Sequence, residues 1–126
     1  MDTELIPAVV REGFSIRIEG EGPYSVVLSG NADMESLPVL GPFLTELHSK
    51  LQSRRVAVVT VDLRDLYFMN SSCLKSFIIW IAGIKKLGPG DSYQVRFLTN
   101  PAFKWQDRNI EALQEFAPAI VVLEDA

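Results

Sequence analysis

The sequence has 126 residues, enough for one domain that buries its own core without a metal or a disulfide. Its net charge of -4 argues against a nucleic-acid partner, because binding to phosphates depends on clustered Lys and Arg. A single Cys excludes an internal disulfide, and one Cys with one His supplies no ligand set for zinc.

The start of the chain carries acidic residues where a signal peptide would carry positive charge. No window approaches the roughly 20 apolar residues of a membrane span. We therefore expect one cytoplasmic domain over residues 1–126 that does not enter a membrane, with residues 1–12 as a loose lead-in.

Two short segments near the start predict a β-hairpin. Residues 14–18 alternate apolar with polar side chains, residues 24–29 form a second strand, and the glycines of residues 19–23 suit the turn between them. We place the first of these strands at an edge of the sheet. Residues 30–33 then form a loop.

The first helix has an uncertain start, because Pro38 and Pro42 are both plausible first-turn prolines. We place the regular helix at residues 42–53. Its apolar residues recur on one face wide enough to cover a sheet, and they are Phe43, Leu44, Leu47 and Leu51. His48 borders this face and is interpreted as a partly covered helix residue.

Residues 56–61 form a continuous run of mostly β-branched residues without polar alternation. Such a run predicts a strand covered on both faces, most simply a central parallel strand. After the apolar residues 66–69 come Asn70, Ser71 and Ser72, short polar side chains that accept hydrogen bonds from the free amides at the start of a helix. This second helix should run to about Lys86.

The 3.6-residue period divides the second helix into two faces. The predicted core face consists of Leu74, Phe77, Ile78, Ile81 and Ile84. The opposite face consists of Ser72, Lys75, Ser76 and Ile79, with Trp80 at the border. Cys73 falls beside the core face, so we favour a packing role over a reactive thiol. An isoleucine and part of an indole would then face water, to be covered by a loop, by self-association or by a partner.

The remainder of the chain predicts a strand at residues 93–98, a helix that opens at residues 99–101, and a last strand at residues 119–123. The inward residues of this helix are Phe103, Ile110, Leu113 and Ala117. The order is β-β-α-β-α-β-α-β. It predicts an α/β domain with a mixed, mostly parallel sheet, right-handed crossovers, and one antiparallel strand contributed by the hairpin.

The segment around Ser71 resembles the STAS domain, the fold of bacterial anti-sigma-factor antagonists. In that family a strand of the type V-x-x-D-L is followed by a segment such as L-x-F-M-D-S-S-G-L, whose Ser after Asp is phosphorylated. The matching residues are 59–63 (VTVDL) and 66–74 (LYFMNSSCL), which places the phosphorylation on Ser71. Asn70 replaces the Asp of the antagonists, and Cys73 replaces their Gly.

With these two substitutions, the segment is similar to that of another group, the SiaC-type regulatory phosphoproteins. Residues 70–75 (NSSCLK) resemble their N-T-S-S-I-K segment, and Gly41-Pro42 is also similar. Both groups imply partner switching. A GHKL-type serine kinase phosphorylates the domain, a PP2C-type phosphatase reverses the reaction, and the unmodified form binds a target. The target is the kinase acting as anti-sigma factor in one group and a diguanylate cyclase in the other.

The resemblance and the residues together give our functional expectation. Ser71 is the phosphorylation site, and the partner-binding residues are Asn70, Ser72, Lys75, Ser76, Ile79 and Trp80. We expect a monomer or weak dimer without a cofactor or a metal. On the residues alone, Ser71 and Ser72 also have the simpler interpretation of helix caps. Two alternatives are a non-phosphorylated STAS scaffold and a STAS domain that binds a small ligand at the strand ends.

The sequence gives little support for an enzyme. Catalysis by a serine needs a neighbouring base, and His48 lies in a different helix from Ser71. Asp62 and Asp65 follow the central strand without a matching catalytic motif, and the chain has no phosphate-binding Gly loop.

Overall fold

The computed structural model describes residues 5–20, 23–88 and 90–125. It contains six strands and three helices in the described ranges. The strands are β1 (Val9–Arg11), β2 (Phe14–Glu19), β3 (Tyr24–Ala32), β4 (Val58–Met69), β5 (Gln94–Thr99) and β6 (Val121–Asp125). The helices are α1 (Leu37–Ser53), α2 (Ser71–Lys85) and α3 (Lys104–Phe116).

The strands form one sheet in their sequence order, from β1 to β6. Only β2 runs against the others, since it pairs antiparallel with both β1 and β3 while the later pairs are parallel. The predicted α/β architecture, with one antiparallel strand from the hairpin, is confirmed. β4 lies between β3 and β5, so its predicted central and parallel position is also confirmed.

The helices cover one face of the sheet. Each β-α-β connection moves one strand further in the same direction, and right-handed crossovers of that kind place every helix on the same side. Burial along β4 agrees, because Val59, Val61 and Leu63 are buried while Val58, Thr60 and Asp62 between them are only half-buried. The expectation that this strand is covered on both faces is therefore wrong.

The first residues are not a loose lead-in as far as they are described. Leu5 and Ile6 are buried in the core, and Val9–Arg11 form β1. β1 pairs with β2, so β2 is not at an edge, in contrast to the prediction. A three-residue strand is too short to show an alternating pattern, and only its pairing reveals it. Residues 1–4 and residues 21 and 22 of the predicted turn lie outside the described residues.

Several element boundaries also differ from the prediction. β4 ends at Met69 rather than at residue 61, α3 begins at Lys104, and β6 is shifted by two residues to Val121–Asp125. α1 begins at Leu37, with Pro38 in its first turn and Pro42 inside the helix, because Leu40 in this early part is fully buried. Residues 30–32, expected as a loop, continue β3. Gly30 has a positive φ of 92°, and a Cβ at this position would collide with the carbonyl oxygen of Gly13.

Candidate functional site

The start of α2 is held in place by Asn70. Its side-chain Oδ1 accepts a hydrogen bond from the Cys73 amide at 2.8 Å, as an N-cap does. The Asn70 backbone amide donates to the Ala32 carbonyl at the end of β3, at 2.9 Å. The cap therefore joins α2 to the neighbouring strand, and the predicted helix start is confirmed.

Ser71 and Ser72 occupy different environments at this helix start. Ser71 is exposed, whereas Ser72 is half-buried. The first turn of α2 contains no acidic residue, so no side chain within that turn offsets the partial positive charge of the helix N-terminus. The Ser71 side chain is thus exposed to solvent at the N-terminus of α2, where the helix favours a negatively charged group.

Cys73 is fully buried, and its Sγ donates to the Asp33 carbonyl at 3.4 Å. Burial, with a smaller contribution from the Asp33 carboxylate, raises the pKa of this thiol. The thiolate is therefore disfavoured although the residue lies in the first turn of a helix. The predicted packing role is confirmed.

The predicted partner-binding face of α2 is present only in part. Ile79 is 65% exposed and Lys75 is exposed, while Ser76 is half-buried like Asn70 and Ser72. Trp80 is 4% exposed, so its placement on this face is wrong. Its indole N–H donates to the Tyr93 hydroxyl at 2.8 Å, beneath the helix.

The core face of α2 is rotated from the predicted one. Its buried residues are Cys73, Phe77, Trp80, Ile81 and Ile84. Leu74, expected in the core, is half-buried and packs against it, whereas Ile78, also expected there, is exposed. The helix is apolar on nearly every side, and its packing against α1 decides which apolar residues are covered.

Exposed apolar side chains that the sequence analysis did not assign lie next to this helix start. Tyr67 and Phe68 are exposed at the end of β4, and Phe68 pairs in register with Asn31 of β3. Met34, 60% exposed, follows the Asp33 whose carbonyl accepts from Cys73. We call Met34, Tyr67, Phe68 and Ser71 the entry surface. The apolar run directly before the cap was the available signal for Tyr67 and Phe68.

The residues considered for catalysis are not brought together. Ser71 makes no hydrogen bond with His48, whose Nδ1 instead lies 2.7 Å from the Tyr93 hydroxyl. His48 is half-buried in α1, which confirms its interpretation as a partly covered helix residue. Asp62 forms an ion pair with Arg64 at 2.8 Å, and this hydrogen bonding lowers the pKa of Asp62.

No group of three or more His, Cys, Asp or Glu side chains in residues 5–20, 23–88 and 90–125 has the arrangement of a metal site. In the same part of the chain, no helix has the length and hydropathy to cross a membrane.

The sequence matches no family model and no curated protein, but solved structures share its fold. An anti-sigma factor antagonist from Mycobacterium paratuberculosis superposes with a TM-score of 0.62 at 17% identity, over 90% of this chain and 88% of that one. An uncharacterized DUF3478-family protein with a SpoIIAA-like fold, from Shewanella loihica, gives a TM-score of 0.54 at 15% identity, over 89% and 85%. The fold is thus STAS-like, as the sequence resemblance implied.

Proposed function

We propose that this protein is a bacterial regulatory phosphoprotein of a partner-switching pathway, with Ser71 as the residue that is phosphorylated. A GHKL-type serine kinase adds the phosphoryl group and a PP2C-type phosphatase removes it. The unmodified form binds the target, and the protein itself is not an enzyme. The observation that carries the proposal is the exposed Ser71 hydroxyl at the capped start of α2, within a STAS-like fold.

The helix start can accept a phosphate without a change of fold. Phosphorylation adds about -1.5 to -2 charges. The free amides and the dipole at the start of α2 favour an anion there. Asn70 caps the helix without a formal charge of its own, so a phosphate on Ser71 does not meet a carboxylate at the cap.

The same group changes the surface that a partner would contact. Met34, Tyr67 and Phe68 are exposed and apolar around Ser71, and Ile79 and Lys75 follow along α2. A partner that buries these apolar side chains would also have to desolvate the phosphate, which is costly unless the partner supplies cations. Phosphorylation therefore releases the target by electrostatics at the docking surface.

Phosphorylation by the cognate kinase tests the proposal directly. The protein is incubated with the kinase and ATP and examined by intact mass and peptide mapping. We expect one added phosphoryl group, located on Ser71. Ser71→Ala should abolish the addition, and Ser72→Ala should retain it. A protein that is never modified, or a modification that Ser71→Ala leaves in place, contradicts the proposal.

The target is one of two kinds of protein. The similarity to an anti-sigma factor antagonist favours a kinase that acts as anti-sigma factor. The resemblance of residues 70–75 to the SiaC-type segment favours a diguanylate cyclase. Binding of the unmodified and phosphorylated forms to each candidate, measured by calorimetry, distinguishes them, since only the true target should bind the unmodified form more tightly.

A further inference from the structure

A groove lies between α1 and α2, beside the partner-binding face of α2. Its volume is about 300 Å³, at the lower end of the range for small-molecule sites. The apolar part of its lining comes from Leu44, Ile79 and Trp80. His48 and Thr45 of α1 and Ser76 of α2 contribute polar groups, and Gly83 of α2 faces His48.

Hydrogen bonds beneath the groove determine which nitrogen of His48 carries the proton. The Trp80 indole can only donate, so the Tyr93 oxygen accepts its hydrogen bond at 2.8 Å. The Tyr93 hydroxyl proton then points to His48 Nδ1, 2.7 Å away, which accepts it. This is the arrangement in which all three groups are satisfied. The neutral ring therefore carries its proton on Nε2.

This Nε2–H group faces the groove. A Cβ added to Gly83 would lie 3.6 Å from His48 Nε2, which places the nitrogen at the α2 side of the groove. None of the hydrogen bonds formed by the described residues uses Nε2. Burial lowers the pKa of His48, so the ring is neutral near pH 7. His48 Nε2 is thus a neutral donor in a largely apolar groove that also contains two hydroxyls. The Thr45 hydroxyl donates to the Gly41 carbonyl at 3.1 Å, and the Ser76 hydroxyl can donate or accept.

The lining also indicates what the groove does not bind. Its described residues include no Lys, Arg, Asp or Glu. A phosphate, a nucleotide or a carboxylate would lose its hydration there without gaining an opposite charge. An uncharged molecule with an apolar body loses little on entering, and one acceptor atom would satisfy the His48 donor.

From the uncharged, largely apolar lining of the groove and the orientation of the His48 donor we infer that it is a binding site for an uncharged, largely apolar small molecule with a hydrogen-bond acceptor, such as a ring nitrogen or a carbonyl oxygen. The apolar body contacts Trp80, Ile79 and Leu44. The acceptor receives the hydrogen bond from His48 Nε2. The site is separate from Ser71 and does not depend on its phosphorylation.

Gly83 provides a variant that closes the site with little risk to the fold. Alanine in a helix interior is more stable than glycine, and the added methyl group makes only ordinary van der Waals contact with the His48 ring. That methyl group occupies the space in front of Nε2. Gly83→Ala should therefore remove the acceptor position while the helix remains intact.

Two probes of nearly equal shape test the inference, because quinoline has a ring nitrogen acceptor and naphthalene does not. Both are titrated into the full chain at about pH 8, and binding is followed by amide and imidazole NMR shifts. The chain has one His, so its ring signals are unambiguous. We expect quinoline to bind about three- to tenfold more tightly than naphthalene, with shifts at His48, Gly83 and the Trp80 indole.

The variants provide the remaining outcomes. Gly83→Ala should weaken quinoline binding about tenfold or more and abolish its advantage over naphthalene. Lys75→Ala, on the exposed side of the same helix, should leave both affinities unchanged. Equal affinity for the two probes, no binding of either, or shifts confined to residues outside the groove would overturn the inference. These results are independent of whether Ser71 is phosphorylated.

Discussion

At the scale of single residues, Asn70 does most to define the proposed switch. Its side chain caps α2 through the Cys73 amide, and its backbone amide is bonded to the end of β3. An amide side chain performs this capping without a negative charge, whereas the Asp of the antagonists would place a carboxylate beside a phosphorylated Ser71. With Asn70 at the cap, the proposed phosphate on Ser71 would have no carboxylate at the neighbouring position.

Replacement of the cap should lower stability in a graded way. Asn70→Ala removes the hydrogen bond to Cys73 and should reduce the free energy of unfolding by about 1 kcal/mol. Asn70→Asp keeps an acceptor oxygen at the same place and should stay within about 0.5 kcal/mol of the wild type. Urea unfolding measures both. If Asn70→Ala and the wild type had the same free energy of unfolding, the cap would not contribute to stability and the prediction would be wrong.

His48 should make the stability depend on pH. Burial lowers its pKa in the folded state, so the unfolded state binds a proton more readily. The stabilisation is complete above the unfolded pKa of about 6.5 and is lost as the pH falls through the lower folded pKa. Protonation would also force Nδ1 to carry a proton, which ends its acceptance of the Tyr93 hydroxyl.

The measurement is urea unfolding at several pH values between about 7.5 and 5. The free energy of unfolding should decrease towards acid in the wild type. In His48→Phe the decrease in the free energy of unfolding that comes from histidine protonation should disappear, because the chain has no other histidine. The pKa of Asp62 is lowered as well, but its contribution is lost only at more acidic pH. An unchanged slope in His48→Phe would refute the assignment.

At the scale of elements, α3 supports the part of β4 that leads to α2. β4 pairs with β5 only as far as Asp62 and then continues to Met69. In this last part of β4, which does not pair with β5, backbone carbonyls accept hydrogen bonds from side chains of α3. Gln106 Nε2 donates to Leu63 at 2.6 Å and to Leu66 at 2.9 Å, and Trp105 Nε1 donates to the Tyr67 carbonyl at 2.8 Å.

Gln106 is therefore the most important contact of α3 with this segment. It is fully buried, and its Oε1 also accepts from the Asn100 amide at 2.8 Å. Gln106→Met keeps the approximate shape but leaves two carbonyls and one amide without partners, and it should cost about 3 kcal/mol or more. Gln114→Met is the matched control, because Gln114 makes one long bond of 3.4 Å. It should cost less than about 1 kcal/mol.

Thermal and urea unfolding of the two variants give the comparison. The Gln106 variant should also disturb the signals of Tyr67 and Phe68, since their strand segment loses its support. Similar losses of stability in the two variants would mean that the last part of β4 keeps its conformation without the hydrogen bonds from α3.

At the scale of the whole molecule, the sheet has one buried and one partly open face, and the entry surface lies at the carboxyl ends of β3 and β4. The core includes Met69 and Cys73, on either side of Ser71 in the chain, but Ser71 itself is exposed and is not part of it. A charge added at Ser71 therefore changes the outer surface and leaves the core as it is. The proposed switch requires such an arrangement, because the modification has to change the docking surface while the fold persists.

A phosphate mimic should separate folding from binding. Ser71→Asp should change the free energy of unfolding by no more than about 1 kcal/mol, in the stabilising direction, because the added charge lies at the helix N-terminus. It should weaken target binding about tenfold or more. Ser49→Asp adds the same charge at an exposed position of α1 and should leave binding unchanged. Full binding by Ser71→Asp would contradict the proposed switch.

The sequence by itself determined the order of the elements from β2 onwards, the central strand and the start of α2. These features depend on local properties: a β-branched run, the 3.6-residue period, and a short polar side chain where a helix begins. The position of Ser71 at the helix start follows from such a local motif, and so do the exposed positions of Ile79 and Lys75 on α2. The first helix was found for the same reason, although its prolines obscured where it begins.

Only the tertiary structure decided which apolar residues are covered. Trp80 and Ile79 are adjacent in a helix that is apolar on most sides, and the position of α1 and Tyr93 buries one and leaves the other exposed. β1, the exposed Met34 and the groove at His48 likewise depend on contacts between segments far apart in the chain. Periodicity describes one element at a time, whereas burial is a property of an element together with its neighbours.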